Sequence, residues 1–371
     1  MSAPNPLPLF LSTLPGLEPL LKEEVADLGY PSAKVVRGGV ALDGSWKDVW
    51  HLNLMCRGAT RVLVRIGTFR AIHLAQLDKR ARALPWADFL KPGTPVKGEA
   101  TCRKSKIYHS GAAAERVEKA ARAALGPATN DAPVSLFIRL ERDECTISLD
   151  SSGELLHKRG FKKAVGKAPL RETQAALFLR ACGYTGDEPV LDPMCGSATF
   201  IIEAAEIAAG LAPGRGRSFA FEQFARFDGA AWADMVRAAA PSKESFGGPF
   251  IGFDQDAGAV EAAAANADRA GVSSQTTFTQ QGAHRLTRPD GPPGLVMVNP
   301  PYGARIGDIS GLRTIYRTLG MRLKTEFSGW RVGLVTSEGT LAKATGLPFL
   351  PPGPPVPHGS LKIRLFKTGV L

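Results

Sequence analysis

Cysteine is scarce in this sequence, and no two cysteines form a C-x-x-C pair. The five thiols, Cys56, Cys102, Cys145, Cys182 and Cys195, are scattered along the chain. An odd and scattered set argues against a disulfide framework and against a zinc cluster, and it favours a reducing cytoplasm. The six histidines are scattered too. We therefore expect no metal site and no Ser/His/Asp triad.

Long apolar runs are also missing. No stretch approaches the roughly 20 residues that a membrane-spanning helix needs, so we expect no membrane partner. The apolar start at residues 6–11 has neither a basic leader nor a small-residue cleavage site, and we interpret it as a first strand. The chain has 371 residues, 44% of them hydrophobic and 22% charged. These values predict a soluble protein of two or three domains.

Positive charge exceeds negative charge, and the excess is uneven. The formal net charge is +11. Residues 1–165 hold 25 Lys and Arg against 17 Asp and Glu, whereas residues 166–371 hold 21 against 18. This is what we expect if the N-terminal part binds a polyanion and the rest carries out chemistry. Because a high pI is also common in proteins that bind no polyanion, the charge is supporting information only.

The pattern of the chain changes near residue 168. Before it, short strands and helices alternate irregularly, which predicts α+β layers. After it, apolar strands alternate with helices, which indicates an open and mostly parallel sheet. Strands are predicted at residues 189–192, 250–254, 276–280, 295–299, 331–336 and 361–366. In such sheets ligands bind beyond the carboxyl ends of the strands, where the candidate motifs fall.

Residues 190–199 read as a strand, a turn of small residues and a helix. A turn of this kind lets backbone N–H groups approach a ligand at the positive end of a helix. A nicotinamide-binding fold is the natural rival, but glycine occurs only at Gly196, with Ala198 where a second would be needed. No acidic residue closes a strand about 20 residues later. Asp254, at the end of the next strand, is placed to accept hydrogen bonds from ribose hydroxyls.

The most specific local signal is the sequence Asn299, Pro300, Pro301, Tyr302 after an apolar strand. The two prolines remove backbone donors and stiffen the turn, which leaves carbonyls free to accept. The Asn299 side-chain oxygen and the Pro300 carbonyl can accept both hydrogens of an exocyclic base amine, so that the nitrogen lone pair faces an activated methyl group. Tyr302 offers a face for a base turned out of its stack. We predict these four as the catalytic residues.

Cys195 and two basic clusters each have a structural explanation as well as a functional one. Cys195 as a nucleophile for base-C5 methylation is rejected, because it lies in the cofactor turn and a small buried thiol explains it. Basic and aromatic residues alternate at 103–109 and 157–163, which suits phosphate contact and base stacking, although a solvated charged face is the alternative. The predicted RNA-binding residues are Arg103, Lys104, Lys106, Tyr108, His109, Lys158, Arg159, Lys162 and Lys163.

Taken together, the motifs resemble those of the bacterial guanine-N2 RNA methyltransferases with an N-terminal ferredoxin-like and THUMP module. The likeness is strongest to the N-terminal methyltransferase half of the 23S rRNA (guanine-N2) enzyme. It covers nearly the whole chain through LPGLE (14–18), GGV (38–40), LNL (52–54), KSKIYH (104–109), LHKRGF (156–161), APLRET (168–173), DPMCGS (192–197) and NPPY (299–302).

The resemblance implies an α/β fold class and a domain order. It implies a ferredoxin-like domain over residues 1–66, a THUMP RNA-binding domain over 67–165 and a Rossmann-like class I methyltransferase domain over 166–371. It also implies S-adenosylmethionine as cofactor. The predicted cofactor-binding residues are Ala168, Pro169, Leu170, Thr173, Asp192, Pro193, Met194, Cys195, Gly196, Ser197, Ala198, Thr199, Asp254, Gln255, Gly282, Ala283 and Asn299.

The chain departs from the family pattern at two places. Ala198 stands where the family has glycine, which adds a methyl group near the cofactor. Residues 281–283 read Gln-Gly-Ala where the family has an aspartate near the adenine, so a backbone N–H at Ala283 would have to substitute.

The leading hypothesis is methylation of guanine N2 in structured RNA, with 23S rRNA favoured. Three alternatives stay open: guanine-N2 methylation in a tRNA acceptor stem, adenine-N6 methylation, and a non-catalytic RNA-binding assembly factor with a degenerate cofactor site.

Overall fold

A computed structural model of the chain describes residues 6–130, 132–163, 170–241, 246–302 and 309–371. It divides into two compact units. Unit 1 comprises Met1–Thr13, Val25–Leu156 and Arg217–Ala238, and unit 2 comprises Leu14–Glu24, His157–Gly216 and Ala239–Leu371.

The strands of the described residues are β1 (Leu7–Ser12), β2 (Lys34–Val36), β3 (Gly39–Gly44), β4 (Arg61–Arg70), β5 (Val96–Arg103), β6 (Val134–Glu141), β7 (Glu144–Asp150), β8 (Val190–Asp192), β9 (Phe250–Asp254), β10 (Thr276–Gln280), β11 (Leu295–Val298), β12 (Arg331–Thr336), β13 (Val356–His358) and β14 (Leu361–Lys367). The α-helices are α1 (Glu18–Asp27), α2 (Trp46–Met55), α3 (Leu74–Arg82), α4 (Trp86–Phe89), α5 (Ser110–Leu125), α6 (Glu172–Ala181), α7 (Thr199–Ala208), α8 (Gly229–Ala238), α9 (Ala257–Ala270), α10 (Ile309–Glu326) and α11 (Gly339–Ala344).

Unit 1 is built on one seven-stranded sheet with the order β2-β3-β1-β4-β7-β6-β5. Every neighbouring pair is antiparallel except β5 and β6, which are parallel and joined through α5. Alternate residues of β6 are buried, as expected for a strand with one face in a core. The predicted boundary after residue 66 falls inside β4, which pairs with β1 on one side and β7 on the other.

Residues 217–238 belong to unit 1 although they lie far along the chain. Aromatic rings hold them there: Phe221 packs edge-on against Trp232, and Trp50 packs against Phe221 and Phe227. This grouping differs from the predicted division, in which these residues fall in the methyltransferase domain. The three-domain division itself stays a prediction.

Unit 2 contains the sheet predicted from the alternating pattern. Its order is β10-β9-β8-β11-β12-β14-β13, with the first five strands parallel and β14 and β13 antiparallel. Helices cover both of its faces, which confirms the α/β class. The predicted bounds of β9, β10 and β12 are the observed ones.

Two hydrophobic cores occupy the two faces of this sheet, and successive residues of one strand enter different cores. On β8, Val190 belongs to one core and Leu191 to the other. On β11, Met297 packs with α6, α7 and α9, whereas Val296 packs with α10 and α11. Because side chains of a strand alternate between faces, an uninterrupted apolar run is required wherever helices cover both faces.

The contact between α10 and α11 requires the absence of a side chain at Gly320. A Cβ placed there would lie 2.0 Å from the carbonyl oxygen of Thr345. We expect Gly320→Ala to lower the free energy of unfolding by about 1–3 kcal/mol through overpacking. Gly369→Ala is the control, because a Cβ there meets no atom within 4 Å. Urea unfolding followed by circular dichroism measures both, and equal stability of the two variants would contradict the close packing.

Candidate active site

The candidate site lies where the chain order of the parallel sheet of unit 2 reverses. β8 is flanked by β9 and β11, and the chain builds outward through β9 and β10 on one side and through β11 and β12 on the other. The strand ends at this switch point carry Asp192, Asp254 and, immediately after β11, Asn299. A switch point of this kind forms a crevice beyond the carboxyl ends of the strands.

Backbone hydrogen bonds fix the turn that follows β8. The Asp192 carboxylate accepts the N–H of Met194 at 3.0 Å, and the N–H of Cys195 donates to the carbonyl of Phe253 at 2.8 Å. The Gly196 N–H donates to Oδ2 of Asp254 at 2.9 Å. The turn after β8 is therefore tied to the end of β9, so two of the predicted cofactor-binding segments form one structure.

Gly196 and Ala198 both adopt left-handed backbone conformations, with φ of +52° and +65°. Glycine adopts this conformation without strain, and alanine does not. A Cβ on Gly196 would meet no heavy atom within 4 Å, so the space over this residue is open. The Ala198 methyl group is fully buried in the core instead. That this methyl group lies near the cofactor stays a prediction.

Asn299 presents a buried oxygen without a partner. Its Oδ1 atom is shielded from solvent and accepts no hydrogen bond from the residues that the structure describes. Such an atom is costly unless a ligand supplies a donor. The prolines after it are held in place by Tyr316 of α10, whose Oη donates to the carbonyl of Pro301 at 3.3 Å and accepts from the Thr336 hydroxyl at 3.1 Å. Tyr302 is half-buried, and burial raises its pKa to about 12.

A cavity of about 410 Å³ opens at these strand ends, within the range of small-molecule sites. Seven predicted residues line it: Pro193, Met194, Asp254, Gln255, Gly282, Ala283 and Asn299. Pro301, predicted as catalytic, lines it too. Five further lining residues were not among the predicted site residues: Gln281, His284, Thr314, Ile315 and Thr318. Thr314 and Thr318 lie one turn apart on α10, and that spacing is a signal that sequence analysis could have used.

The other predicted cofactor-binding residues that the structure describes do not line the cavity. Asp192, Cys195, Gly196, Ser197, Ala198 and Thr199 form the turn behind the lining residues. Leu170 and Thr173 are buried at the start of α6. Ala168 and Pro169 lie outside the described residues. Burial raises the pKa of the Cys195 thiol far above its ordinary range, as the rejection of a nucleophilic role requires.

The first basic cluster is a rigid, exposed loop in unit 1. Lys106 N donates to Asp143 Oδ1 at 2.8 Å, and Asp143 N donates to Ser105 Oγ at 2.9 Å. The loop is therefore braced against the turn between β6 and β7. Arg103, Lys104, Lys106 and His109 are exposed, and the Tyr108 side chain is 84% exposed. These side chains are available for the predicted RNA contact.

The second basic cluster is only partly exposed. Lys158 and Lys163 face solvent. Arg159 is 3% exposed and pairs with Glu203 at 3.6 Å. Lys162 is mostly buried and pairs with Glu172 at 3.4 Å. The prediction that Arg159 and Lys162 present charge to RNA is corrected by this burial, because both cations are neutralised inside unit 2 by acids far away in sequence.

Comparison with known proteins decides the family. A family profile described as "RMKL-like, methyltransferase domain" matches residues 159–348. The chain belongs to this methyltransferase family. A second profile, "RlmL ferredoxin-like domain", matches residues 8–63, which confirms the ferredoxin-like part of the predicted fold.

Individual relatives of this family member cover most of its length. It is 34% identical over 361 residues to "Ribosomal RNA large subunit methyltransferase K/L" of Syntrophotalea carbinolica, a match over 92% of this chain and 51% of that protein. The chain spans about half the length of the curated relatives it matches. A "predicted N6-adenine-specific DNA methylase" of Listeria monocytogenes is 32% identical with a TM-score of 0.86, over 99% and 97% of the two chains. SMU.472, whose crystal structure contains SAH, is 26% identical with a TM-score of 0.88, over 100% and 99%.

Class I methyltransferases use S-adenosylmethionine, which supplies an activated methyl group when bound. Three observations in unit 2 fit this cofactor: the size of the cavity, the open space over Gly196 and the unpartnered Asn299 oxygen. The residues that would hold it are Asp254, Gln255, Gly282, Ala283 and the turn after β8, with Asn299 at the far side.

The described part of the chain shows neither a metal-binding group of side chains nor a membrane-spanning helix. Among residues 6–130, 132–163, 170–241, 246–302 and 309–371, no group of three or more His, Cys, Asp or Glu side chains could hold a metal ion. Over the same ranges, no helix is both long enough and apolar enough to cross a membrane.

The buried Asp192 makes stability depend on pH. Burial, with a smaller contribution from the neighbouring Asp254, raises the pKa of this carboxyl to about 8. The folded chain therefore keeps a proton that the unfolded chain loses near pH 4. The stabilisation is complete below about pH 4 and is lost as pH rises towards about 8.

We expect Asp192→Asn to be increasingly more stable than the natural chain as pH rises from 5 to 8.5, because the amide cannot ionise. Thermal unfolding at several pH values measures this difference. Asp268→Asn, which replaces an exposed carboxylate on α9, is the control and should show a constant difference. A constant difference for Asp192→Asn as well would contradict the assigned pKa.

Proposed function

We propose that this protein transfers a methyl group from S-adenosylmethionine to the exocyclic N2 amine of a guanine in structured RNA, with 23S rRNA as the favoured substrate. The observation that carries the proposal is the buried Asn299 oxygen, which has no hydrogen-bond partner among the described residues. The name of the Syntrophotalea carbinolica relative, a ribosomal RNA large subunit methyltransferase, supports RNA as the substrate.

The chemistry requires little beyond orientation of the amine. Asn299 Oδ1 and the Pro300 carbonyl accept the two amine hydrogens, which localises the nitrogen lone pair and fixes its direction. Tyr316 keeps the proline turn rigid through its bond to Pro301, so the acceptors are aligned before the substrate arrives. Tyr302 packs beside the base. Because the acceptors are already aligned, less entropy is lost in orienting the amine during the reaction, and the activation free energy is lower.

A second candidate is adenine-N6 methylation, because an adenine amine offers the same two hydrogens to Asn299 and Pro300. The name of the Listeria monocytogenes relative favours it. The excess of positive charge in residues 1–165 and the exposed basic loop at 103–109 favour RNA over a small substrate. A tRNA acceptor stem and a non-catalytic assembly factor are the other outcomes of the test.

Nucleoside mass spectrometry decides among these outcomes. The purified protein is incubated with S-adenosylmethionine and total RNA from a strain that lacks its gene, and each RNA fraction is digested. We expect N2-methylguanosine in the large ribosomal RNA. N2-methylguanosine in tRNA or N6-methyladenosine would select the corresponding alternative. No methylated nucleoside, with no binding of S-adenosylhomocysteine, would favour the assembly factor.

We expect Asn299→Ala to bind S-adenosylhomocysteine normally but to lower kcat about 100-fold or more, because the amine is no longer aligned. Asn299→Asp, which keeps an acceptor oxygen at the same place, should retain more activity than the alanine variant. Calorimetry and single-turnover methylation measure the two properties. Full turnover by Asn299→Ala would refute the amine-binding role.

We expect Lys104→Glu/Lys106→Glu to weaken RNA binding and to reduce the slope of log Kd against log salt, by about 0.7–0.9 per lost phosphate contact. Lys34→Glu/Lys47→Glu is the matched control, since it makes the same change in net charge at exposed positions of unit 1. Fluorescence anisotropy at several salt concentrations measures the slope. Equal slopes for the two double variants would place RNA binding elsewhere.

A further inference from the structure

The most informative feature outside the cavity is the buried ammonium group of Lys162. Each of its three N–H donors has an acceptor: Thr199 Oγ1 at 2.7 Å, the Leu170 carbonyl at 3.1 Å and a carboxylate oxygen of Glu172 at 3.4 Å. A lysine has only three donors. Because all three are used inside unit 2, this side chain has none left for a phosphate.

We propose that Lys162 is a positioning residue for the cofactor turn, which it fixes by holding the first residue of α7 against the start of α6. The inference rests on the donor site at the end of β8 and is independent of which base or RNA is methylated. It assigns Lys162 to cofactor binding in place of RNA binding.

The turn needs such support because it cannot stabilise itself. α7 begins at Thr199 after Ala198, and the alanine side chain offers no hydrogen bond to cap the helix. The left-handed backbone at Ala198 is strained for a residue with a Cβ atom. External contacts compensate: Asp254 accepts from Gly196, Asn266 donates to the Ser197 carbonyl at 3.2 Å, and Lys162 donates to Thr199.

The position of the ammonium group is unusual for a charge at a helix end. A cation beside the first turn of a helix is disfavoured by the helix dipole. The carboxylate of Glu172, the first residue of α6, offsets this charge. The arrangement joins the first turns of two helices through one side chain. Both helices pack in the core that contains Cys195 and Ala198 of the turn, so a shift at Lys162 is transmitted to the cavity wall.

The test is the affinity for S-adenosylhomocysteine alone, measured by isothermal titration calorimetry without RNA or turnover. We expect Lys162→Met to weaken this binding about ten-fold or more, in line with the loss of a hydrogen bond to a charged group. RNA affinity should stay unchanged. Thr199→Val should weaken binding similarly. The double variant should be no worse than Lys162→Met, since both single changes remove the hydrogen bond between Lys162 and Thr199.

Two controls separate positioning from general stability and from surface charge. Glu203→Gln breaks the adjacent buried pair with Arg159; it should lower the melting temperature and leave the affinity unchanged. Lys163→Met removes an exposed neighbouring charge and should also leave it unchanged. If Lys162→Met does not fold, Thr199→Val decides.

The proposal is overturned if S-adenosylhomocysteine binds Lys162→Met normally, if Glu203→Gln weakens binding as much, or if Lys162→Met loses RNA affinity alone. Failure of the natural chain to bind S-adenosylhomocysteine would refute the donor site itself. Binding without RNA methylation would leave the role of Lys162 intact and count against the proposed function.

Discussion

The candidate site depends on one constraint: the central strands of unit 2 must be apolar on both faces. Helices cover both sides of the parallel sheet, so Val190 and Leu191 of β8 enter different cores. Polar side chains can then occur only where the strands end. Asp192, Asp254 and Asn299 all follow this rule, and the reversal of chain order beside β8 brings their ends together. The chemistry of the crevice is a consequence of how the sheet is buried.

The same constraint explains what could be predicted from the sequence. The strand pattern predicted the observed bounds of β9, β10 and β12, and Asp254, Gln255 and Asn299, which stand at or just after strand ends, line the cavity as expected. Thr314 and Thr318 were missed because two threonines one turn apart on a helix are also common on a solvent-exposed face. Tyr316 was missed because its role is a single bond to the carbonyl of Pro301, which no local pattern reveals.

Charge was harder to interpret than hydrophobicity. The cluster at residues 157–163 was predicted to contact RNA, yet two of its cations are buried against Glu172 and Glu203. Those acids lie on α6 and α7, beyond the reach of any short window. The braced loop at 103–109 is exposed, as its predicted contact with RNA requires, because Asp143 bonds to the Lys106 backbone and leaves the lysine and tyrosine side chains exposed. The RNA contact itself stays a prediction. Exposure depends on partners that only the fold brings near.

The assignment of residues 217–238 to unit 1 has a consequence for synthesis of the chain. Ala238, the last residue of this segment, follows Leu156 by 82 residues, so at about 5–20 residues per second the ribosome needs roughly 4–16 s to deliver residues 217–238. During that interval Trp50 lacks Phe221 and Phe227, the rings that pack against it in the folded structure. The N-terminal unit thus cannot mature before part of the methyltransferase sequence has been translated. A chain cut near residue 165 would lack this cover permanently, however complete its own strands.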